Sequence, residues 1–251
     1  MDLHGKVAFV TGGSGDIGAG IAIALAHAGA DVAISYVGHR DGAERTAAAI
    51  EAAGRQSLIV PLDQRDPASI DASVEAVVKG LGRVDILVNN AGWNIGIPFA
   101  DLDTLTADIW NRVHETNLRG PYLLSRAFAP HLRARGAGRI VNIASVGGMR
   151  PSSSSIAYSA SKAGLIHLTK CLAVALAPTI TVNCVAPGLV EGTRIASRLP
   201  QAVADGARRQ AVLGRTGAID DIARQVVTFC QADSVTGQTM VVDGGMPAAM
   251  H

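Results

Sequence analysis

Ser145, Tyr158 and Lys162 have the types and spacing to act together on one small polar group. An apolar run from Arg139 to Ala144 reads as a buried strand that delivers Ser145 at its end. Tyr158 and Lys162, four residues apart, share one face of the helical pattern that follows. A free phenol, with a pKa near ~10, is a poor base at neutral pH. An ammonium one turn away favours the phenolate and is expected to bring that pKa down towards the working range. Tyr158 would then exchange a proton with an alcohol or carbonyl oxygen while Ser145 holds the same oxygen by a hydrogen bond. A proton alone does not interconvert the two, so the chain should also hold a site for a hydride-carrying nicotinamide.

The elements that position this trio can be read in order. Lys6 to Val10 is a compact strand, followed at once by Thr11-Gly12-Gly13-Ser14-Gly15-Asp16-Ile17-Gly18 and then by a helix with Ile17, Ile21 and Leu25 on one side and Gly29 as its stop. Strand, glycine turn and helix in that order suit a pyrophosphate, which the helix N-terminus would hold by its N–H groups. Asp31–Tyr36 is the second strand, and Asp41 with Glu44 reads as the capped start of a helix that Gly54 ends. Ser57–Leu62, ending in Asp63-Gln64, and Arg83–Val88, ending in Asn89-Asn90-Ala91-Gly92, are further strands, with a helix over Pro67–Lys79 between them.

The second half continues in the same way. Helices are expected over Thr106–Asn117, Tyr122–Ala134, Ile156–Ala177 and Asp220–Gln231, and strands over Thr181–Val185 and Thr239–Val242. Ser152–Ser155 reads as a loop ahead of the helix that carries Tyr158. Such alternation predicts an α/β fold, a doubly wound seven-stranded parallel sheet with helices on both faces, as a single domain over residues 1–251. Gly12, Asp63, Asn90 and Ser145 would meet at the carboxyl ends of the strands. Residues 189–216, polar, arginine-rich and broken by glycines, suit a small mobile substrate lobe. Leu165, Leu168, Leu172 and Leu176 give the long helix more apolar surface than one flank of a sheet needs, which suggests a face covered by another subunit.

Composition narrows the partners. The net charge is +1 with both signs well mixed, which argues against nucleic acid or an anionic membrane surface. No apolar run is long enough to span a bilayer and Met1–Gly5 has no secretory character, so a cytoplasmic protein is expected. Cys171, Cys184 and Cys230 are widely spaced and the histidines lack ligand spacing, so no metal is expected.

Taken together, Thr11-Gly12 with Gly18, Asn89-Asn90-Ala91-Gly92, Asn117, Ser145, Tyr158 with Lys162, Asn183, Pro187-Gly188 with Thr193, and Val242-Asp243-Gly244-Gly245 resemble the short-chain dehydrogenase/reductase family, over Lys6 to Gly245. The resemblance implies a Rossmann-like fold and a homotetramer. It makes Tyr158 the general acid/base, has Lys162 tune it and bind the nicotinamide ribose, sets Ser145 on the substrate oxygen, and gives Asn117 a water-linked proton relay. Cofactor contacts are implied from Gly12, Ser14, Asp16, Ile17 and Gly18, from Asp63 and Gln64 at the adenine, from Asn90, Ala91 and Gly92, and from Pro187, Gly188, Val190 and Thr193 at the nicotinamide. Trp93 and Gly188 would join Ser145 and Tyr158 around the substrate.

Asp16 departs from the family, which usually has glycine there. It is expected to point outward and cap the first helix. Cofactor choice rests on the end of the second strand, where an NAD-specific site places a carboxylate and this chain has Tyr36. With His39 and Arg40 nearby to meet a 2′-phosphate, NADP(H) is expected over NAD(H). The expected activity interconverts a ketone and a secondary alcohol on a small-molecule carbonyl or alcohol substrate. A carrier-linked 3-oxoacyl group, recruited by Arg194, Arg198, Arg208 and Arg209, is the other substrate class. A dinucleotide-binding sensor without turnover is the other functional class, and it has no chemical need for Tyr158 beside Lys162.

Overall fold

Short apolar runs make the strands of this chain, largely buried in the middle of the sheet and half-buried at its edges β3 and β7. β1 (Val7–Val10), β2 (Asp31–Tyr36), β3 (Ser57–Pro61), β4 (Ile86–Asn89), β5 (Gly138–Ile143), β6 (Ile180–Pro187) and β7 (Thr239–Val242) form one sheet in the order β3-β2-β1-β4-β5-β6-β7. Every pairing is parallel, so each connection crosses over through a helix. The computed structural model describes residues 1–151, 154–194 and 196–247, and the backbone alone of Arg198. The eight α-helices of this part are α1 (Asp16–His27), α2 (Arg40–Ala52), α3 (Pro67–Leu81), α4 (Ala107–His114), α5 (Gly120–Arg133), α6 (Ile156–Leu176), α7 (Gln201–Gln210) and α8 (Ile219–Gln231). The strand order reverses between β1 and β4, which opens a crevice at their carboxyl ends.

Two apolar layers hold the helices to the sheet. On one face Ile21 and Leu25 of α1 and Ile222 and Val226 of α8 pack with Val10, Ile34 and Val88. On the other, Leu124, Phe128 and Leu132 of α5 and Leu172 and Leu176 of α6 pack with Phe9, Leu87 and Val182. Phe9 and Phe128 meet at 5.2 Å between ring centroids, each side chain worth roughly 1.5–3 kcal/mol in burial. Three of the four leucines of α6 thus differ from expectation: Leu165, Leu172 and Leu176 are buried against the chain's own sheet, while Leu168 is half-buried and lines an outward groove. Outward, α6 turns Gly164, His167 and Cys171 towards a groove shared with Leu118 and Tyr122, and Val174 is 82% exposed.

Local sequence sets the helix ends. Asp66 caps α3, accepting from the N–H of Ala68 at 3.0 Å with Pro67 at the first helical position. The capped start expected at Asp41 is overturned: α2 begins two residues earlier, His39 is its N-cap without a side-chain bond, and Asp41 lies inside the first turn. Between α4 and α5 the backbone widens into a π turn over Glu115–Arg119, so two helices expected as separate run on through it. Such a turn inserts one residue into the spiral, and here it carries Asn117, fully buried. A buried chain of side chains braces the same region. Asn89 Nδ2 donates to Asn142 Oδ1 at 2.8 Å, Asn142 Nδ2 to Thr169 Oγ1 at 2.9 Å, and Thr169 Oγ1 to the Leu165 carbonyl at 2.9 Å. No helix among the described residues is long and apolar enough to cross a membrane.

Candidate active site

The glycine turn between β1 and α1 is held from three sides. Thr11 Oγ1 accepts from the N–H groups of Asn90 at 3.0 Å and Ala91 at 2.9 Å, Ser35 Oγ accepts from Gly12 N at 3.1 Å, and Asn90 Nδ2 donates to the Thr11 carbonyl at 2.8 Å. The Asn90 side chain therefore braces the turn through its Nδ2. Gly12 has a φ of +67°, and a Cβ on Gly18 would lie 2.3 Å from the Gly12 carbonyl oxygen, so neither position tolerates a side chain. No side chain caps α1, whose first-turn N–H groups, including those of Asp16, Ile17 and Gly18, have no partner within their own helix. Ile17 packs its side chain on the core, leaving only its backbone for the groove. Bare N–H groups at a tight glycine turn fit a pyrophosphate.

Asp16 does not cap α1. Its carboxylate turns to the far side of the groove and accepts from the backbone N–H of Arg194 at 2.7 Å, with the Arg194 guanidinium Nε at 3.7 Å. An aspartate in the first helical position would have to fold back to cap, whereas the segment after β6 presents a free N–H within reach.

At the far end of the crevice, acids and bases pair with close neighbours. Both oxygens of Asp63 are taken by Arg65, Nε to Oδ1 at 3.0 Å and Nη2 to Oδ2 at 2.6 Å, which holds the carboxyl below the usual range. Gln64 faces inward and donates to the carbonyls of Ala91 at 3.1 Å and Thr116 at 2.6 Å, locking two strand ends to the π turn. Arg40 donates to Glu44 at 2.8 Å on the exposed face of α2. The His39 ring lies against Gly42, where a Cβ would meet it at 2.4 Å, and its Nε2 is 3.5 Å from Arg45 Nη2.

At the opposite end, Ser145 leaves β5 and its Oγ accepts from Gly147 N at 3.1 Å. Tyr158 is held on both sides of its peptide: Ser155, the N-cap of α6, accepts from its N–H at 3.2 Å, and Ser161 Oγ donates to its carbonyl at 2.7 Å. Asn117 Nδ2 donates to Ser161 Oγ at 3.2 Å and to the Trp93 carbonyl at 2.9 Å, while its Oδ1 accepts from Trp93 N at 2.8 Å. Its amide is thus fully engaged in joining three segments. Lys162 Nζ donates to the Ile143 carbonyl at 2.8 Å and lies 5.7 Å from the Tyr158 ring centroid. A Cβ on Gly92 would come within 3.7 Å of that ammonium and 3.3 Å of Asn117 Oδ1.

Burial decides the protonation here. It pushes the Tyr158 phenol up from its ordinary value, with the hydrogen bond from Ser145 pulling the other way. It also brings Lys162 down to about 8. The expectation that the ammonium lowers the phenol is not met: loss of water raises Tyr158, and only the hydrogen bond from Ser145 pulls against it.

The segment after β6 folds back on the end of β7. Gly188 donates its N–H to the Val242 carbonyl at 3.0 Å, and a Cβ there would strike Asp243 at 2.6 Å. Val190 bridges to Gly217, and Thr193 Oγ1 donates to the Val190 carbonyl at 2.9 Å and accepts from Ala196 N at 3.2 Å. Glu191 accepts from Arg208 and from Thr216 Oγ1 at 2.8 Å, tying α7 to the chain that returns to the sheet. Beneath Arg112, at 4.2 Å from the guanidinium, the Trp93 ring is engaged by α4. Ser152 and Ser153 lie outside the described residues. Residues the sequence reading did not single out are Ser35, Ser161 and Arg112, and of these only Ser161, one helical turn beyond Tyr158, carried a readable signal.

Known proteins resemble this chain over nearly its whole length. The family model described as enoyl-(acyl carrier protein) reductase matches residues 13–247. An acetoacetyl-CoA reductase from Shinella zoogloeoides is 39% identical over 96% of this chain and 98% of its own. A 3-oxoacyl-(acyl-carrier-protein) reductase from Pseudomonas aeruginosa is 39% identical over 98% of this chain and 99% of its own. Among solved structures, a short chain dehydrogenase from Burkholderia cenocepacia in complex with NADP superposes with a TM-score of 0.89 at 38% identity, covering 98% of this chain and 99% of that one. An NAD+-bound xylitol dehydrogenase does so with a TM-score of 0.91 at 28% identity, covering 98% and 100%.

Proposed function

The chain belongs to the short-chain dehydrogenase/reductase family, an oxidoreductase family that works on ketones and alcohols with a nicotinamide cofactor, and from that premise we propose that it reduces a ketone with NADPH. The observation that carries the reading is the set of side chains at the end of β5. Ser145, Tyr158 and Lys162 converge there while Asn117 and Ser161 hold the Tyr158 turn in place. Bound in the crevice, the nicotinamide supplies the hydride. Tyr158 gives its proton to the substrate oxygen as that oxygen gains charge, and Ser145 donates a hydrogen bond to the same atom. The Tyr158 phenol, raised by burial, carries its proton at neutral pH and so has one to give. Lys162 would hold the ribose hydroxyls of a bound dinucleotide, and its ammonium would stabilise the phenolate left on Tyr158. Asn117 acts through Trp93 and Ser161, so its side chain positions and does not carry the proton.

NADPH is preferred because β2 ends at Tyr36 and not at a carboxylate that would repel a 2′-phosphate. His39 and Arg40 stand at the start of α2 to receive that phosphate, Arg40 by exchanging Glu44 for it. The names of the curated relatives favour a 3-oxoacyl thioester as substrate. Surface charge lends less support to a carrier protein: Arg194 is paired with Asp16, and Arg208 with Glu191 and Asp205. We further propose that the lobe at 189–216 moves as substrate enters, and that the chain forms a homotetramer. In the tetramer, the groove beside Gly164 and Cys171 and the exposed Met240 of β7 would be covered.

The decisive screen offers small ketones, 3-oxoacyl-CoA and carrier-linked 3-oxoacyl groups with NADPH or NADH. Turnover of a ketone with NADPH supports the reading; dinucleotide binding without turnover of any of them replaces it with the sensor. Sedimentation at micromolar concentration is expected to give a tetramer, and a monomer would refute that assembly.

A further inference from the structure

Arg194 stands in an unusual relation to the glycine turn. It lies 178 residues from Asp16, yet its backbone N–H meets that carboxylate at 2.7 Å and its guanidinium follows at 3.7 Å. Its Nη2 would be 3.4 Å from a Cβ on Gly15, so the guanidinium lies in contact range beside the turn. The site is also one where a lone carboxylate would be costly. Asp16 sits in the first turn of α1, the place where the turn presents its N–H groups to a pyrophosphate, and two anions there repel unless a cation lies between them.

On the reading that the crevice binds a nicotinamide dinucleotide, we propose that Arg194 is a ligand of the dinucleotide pyrophosphate. It is delivered to the glycine turn from the opposite wall of the groove and oriented by Asp16. The carboxylate fixes the backbone of the segment after β6 and the direction of the guanidinium, and the guanidinium screens the carboxylate from the phosphates. Cofactor binding and the position of the lobe are thereby coupled, because the residue that neutralises the phosphates belongs to the segment that leads into the lobe.

Equilibrium binding of NADPH and NADH, followed by quenching of the nicotinamide fluorescence or by calorimetry, tests this with Arg194→Ala, Asp16→Ala and the double variant. Arg194→Ala is expected to raise Kd for both dinucleotides by about tenfold, the loss of one charge-assisted contact. A loss confined to NADPH would move the contact to the 2′-phosphate and overturn the proposal. Asp16→Ala should weaken binding in the wild-type background and strengthen it in the Arg194→Ala background, where only repulsion of the phosphates remains. The same factor in both backgrounds would show that the two residues act independently.

A second readout needs no cofactor. Amide exchange at Arg194 should be faster in Asp16→Ala than in wild type, with unchanged thermal midpoints showing that the fold is intact. Equal exchange would remove the latch. Wild-type protein that binds neither dinucleotide would sink the functional reading and this proposal together. Normal wild-type binding with no effect of Arg194→Ala would sink the proposal alone.

Discussion

The two ends of the crevice are built on different principles. At the β5 end, Lys162 is buried and every side chain that fixes the Tyr158 turn is bonded to backbone or to another buried group. At the β2 end, Arg40, Glu44, Asp63 and Arg65 sit in or near water and pair with neighbours a few residues away. Exposed pairs of that kind are worth about 0–1 kcal/mol and exchange partners readily. The difference separates two tasks. Proton transfer needs groups held at fixed positions in low dielectric, whereas recognition of the cofactor's far end needs charges that can give up a neighbour for a phosphate.

The largest break in this contrast should come from Lys162→Met. Turnover is expected to fall by roughly 10²–10⁴-fold, the scale of losing an acid–base partner, while stability rises. A lysine at about 8 in the folded chain against 10.5 when free is charged below pH ~8 at a cost of about 3 kcal/mol. Between pH ~8 and ~10.5 the unfolded chain binds the proton and the folded chain does not, so wild-type stability rises with pH across that window. Methionine removes the charge and that slope, and gives back part of the gain by leaving the Ile143 carbonyl without its donor. Denaturant unfolding of both proteins at pH 7 and pH 10 checks this; a variant less stable at pH 7 with the slope retained would show that Lys162 is not strained by burial.

At the other end the effect should be smaller and selective. Arg40→Ala is expected to raise the Michaelis constant for NADPH by about tenfold and to leave that for NADH nearly unchanged, and Tyr36→Asp to reverse the preference. Steady-state kinetics with both cofactors decide it, and an equal effect on the two would mean that β2 does not set the choice. Smallest of all should be Ser155→Ala. Losing the cap costs about 1 kcal/mol of stability, and because the cap holds the Tyr158 N–H, turnover should drop severalfold with KM little changed. A normal turnover number beside the stability loss would separate the cap from catalysis.

Much of the buried end was legible in the sequence because topology alone brings it together. Parallel strands end on one side, so Gly12, Asn90 and Ser145 had to converge once the alternation of strand and helix was read, and Tyr158 with Lys162 needed only helical spacing. The exposed end and the lobe were less legible. A charge says nothing about which neighbour it will choose, so Asp41 was given a cap that His39 occupies and Asp16 a cap that the segment after β6 makes unnecessary. The π turn at Asn117 escaped notice because its residues look helical. Leu165, Leu172 and Leu176 look surplus because the width of the sheet they cover is not written in the helix, and only Leu168 reaches the outward groove. The phenol's direction was misread for a related reason: spacing reveals a neighbouring charge but not the depth of burial that outweighs it.

Tyr158→Phe tests the central claim most directly, since it removes one hydroxyl from a half-buried side chain and leaves the glycine turn and Lys162 in place. Pre-steady-state reduction of the best substrate from the screen, with NADPH affinity measured on the same protein, should show hydride transfer slowed by roughly 10²–10⁴-fold and a dissociation constant within about threefold of wild type. Hydride transfer at the wild-type rate with intact cofactor binding would contradict the account, because the proton would then come from a group other than Tyr158.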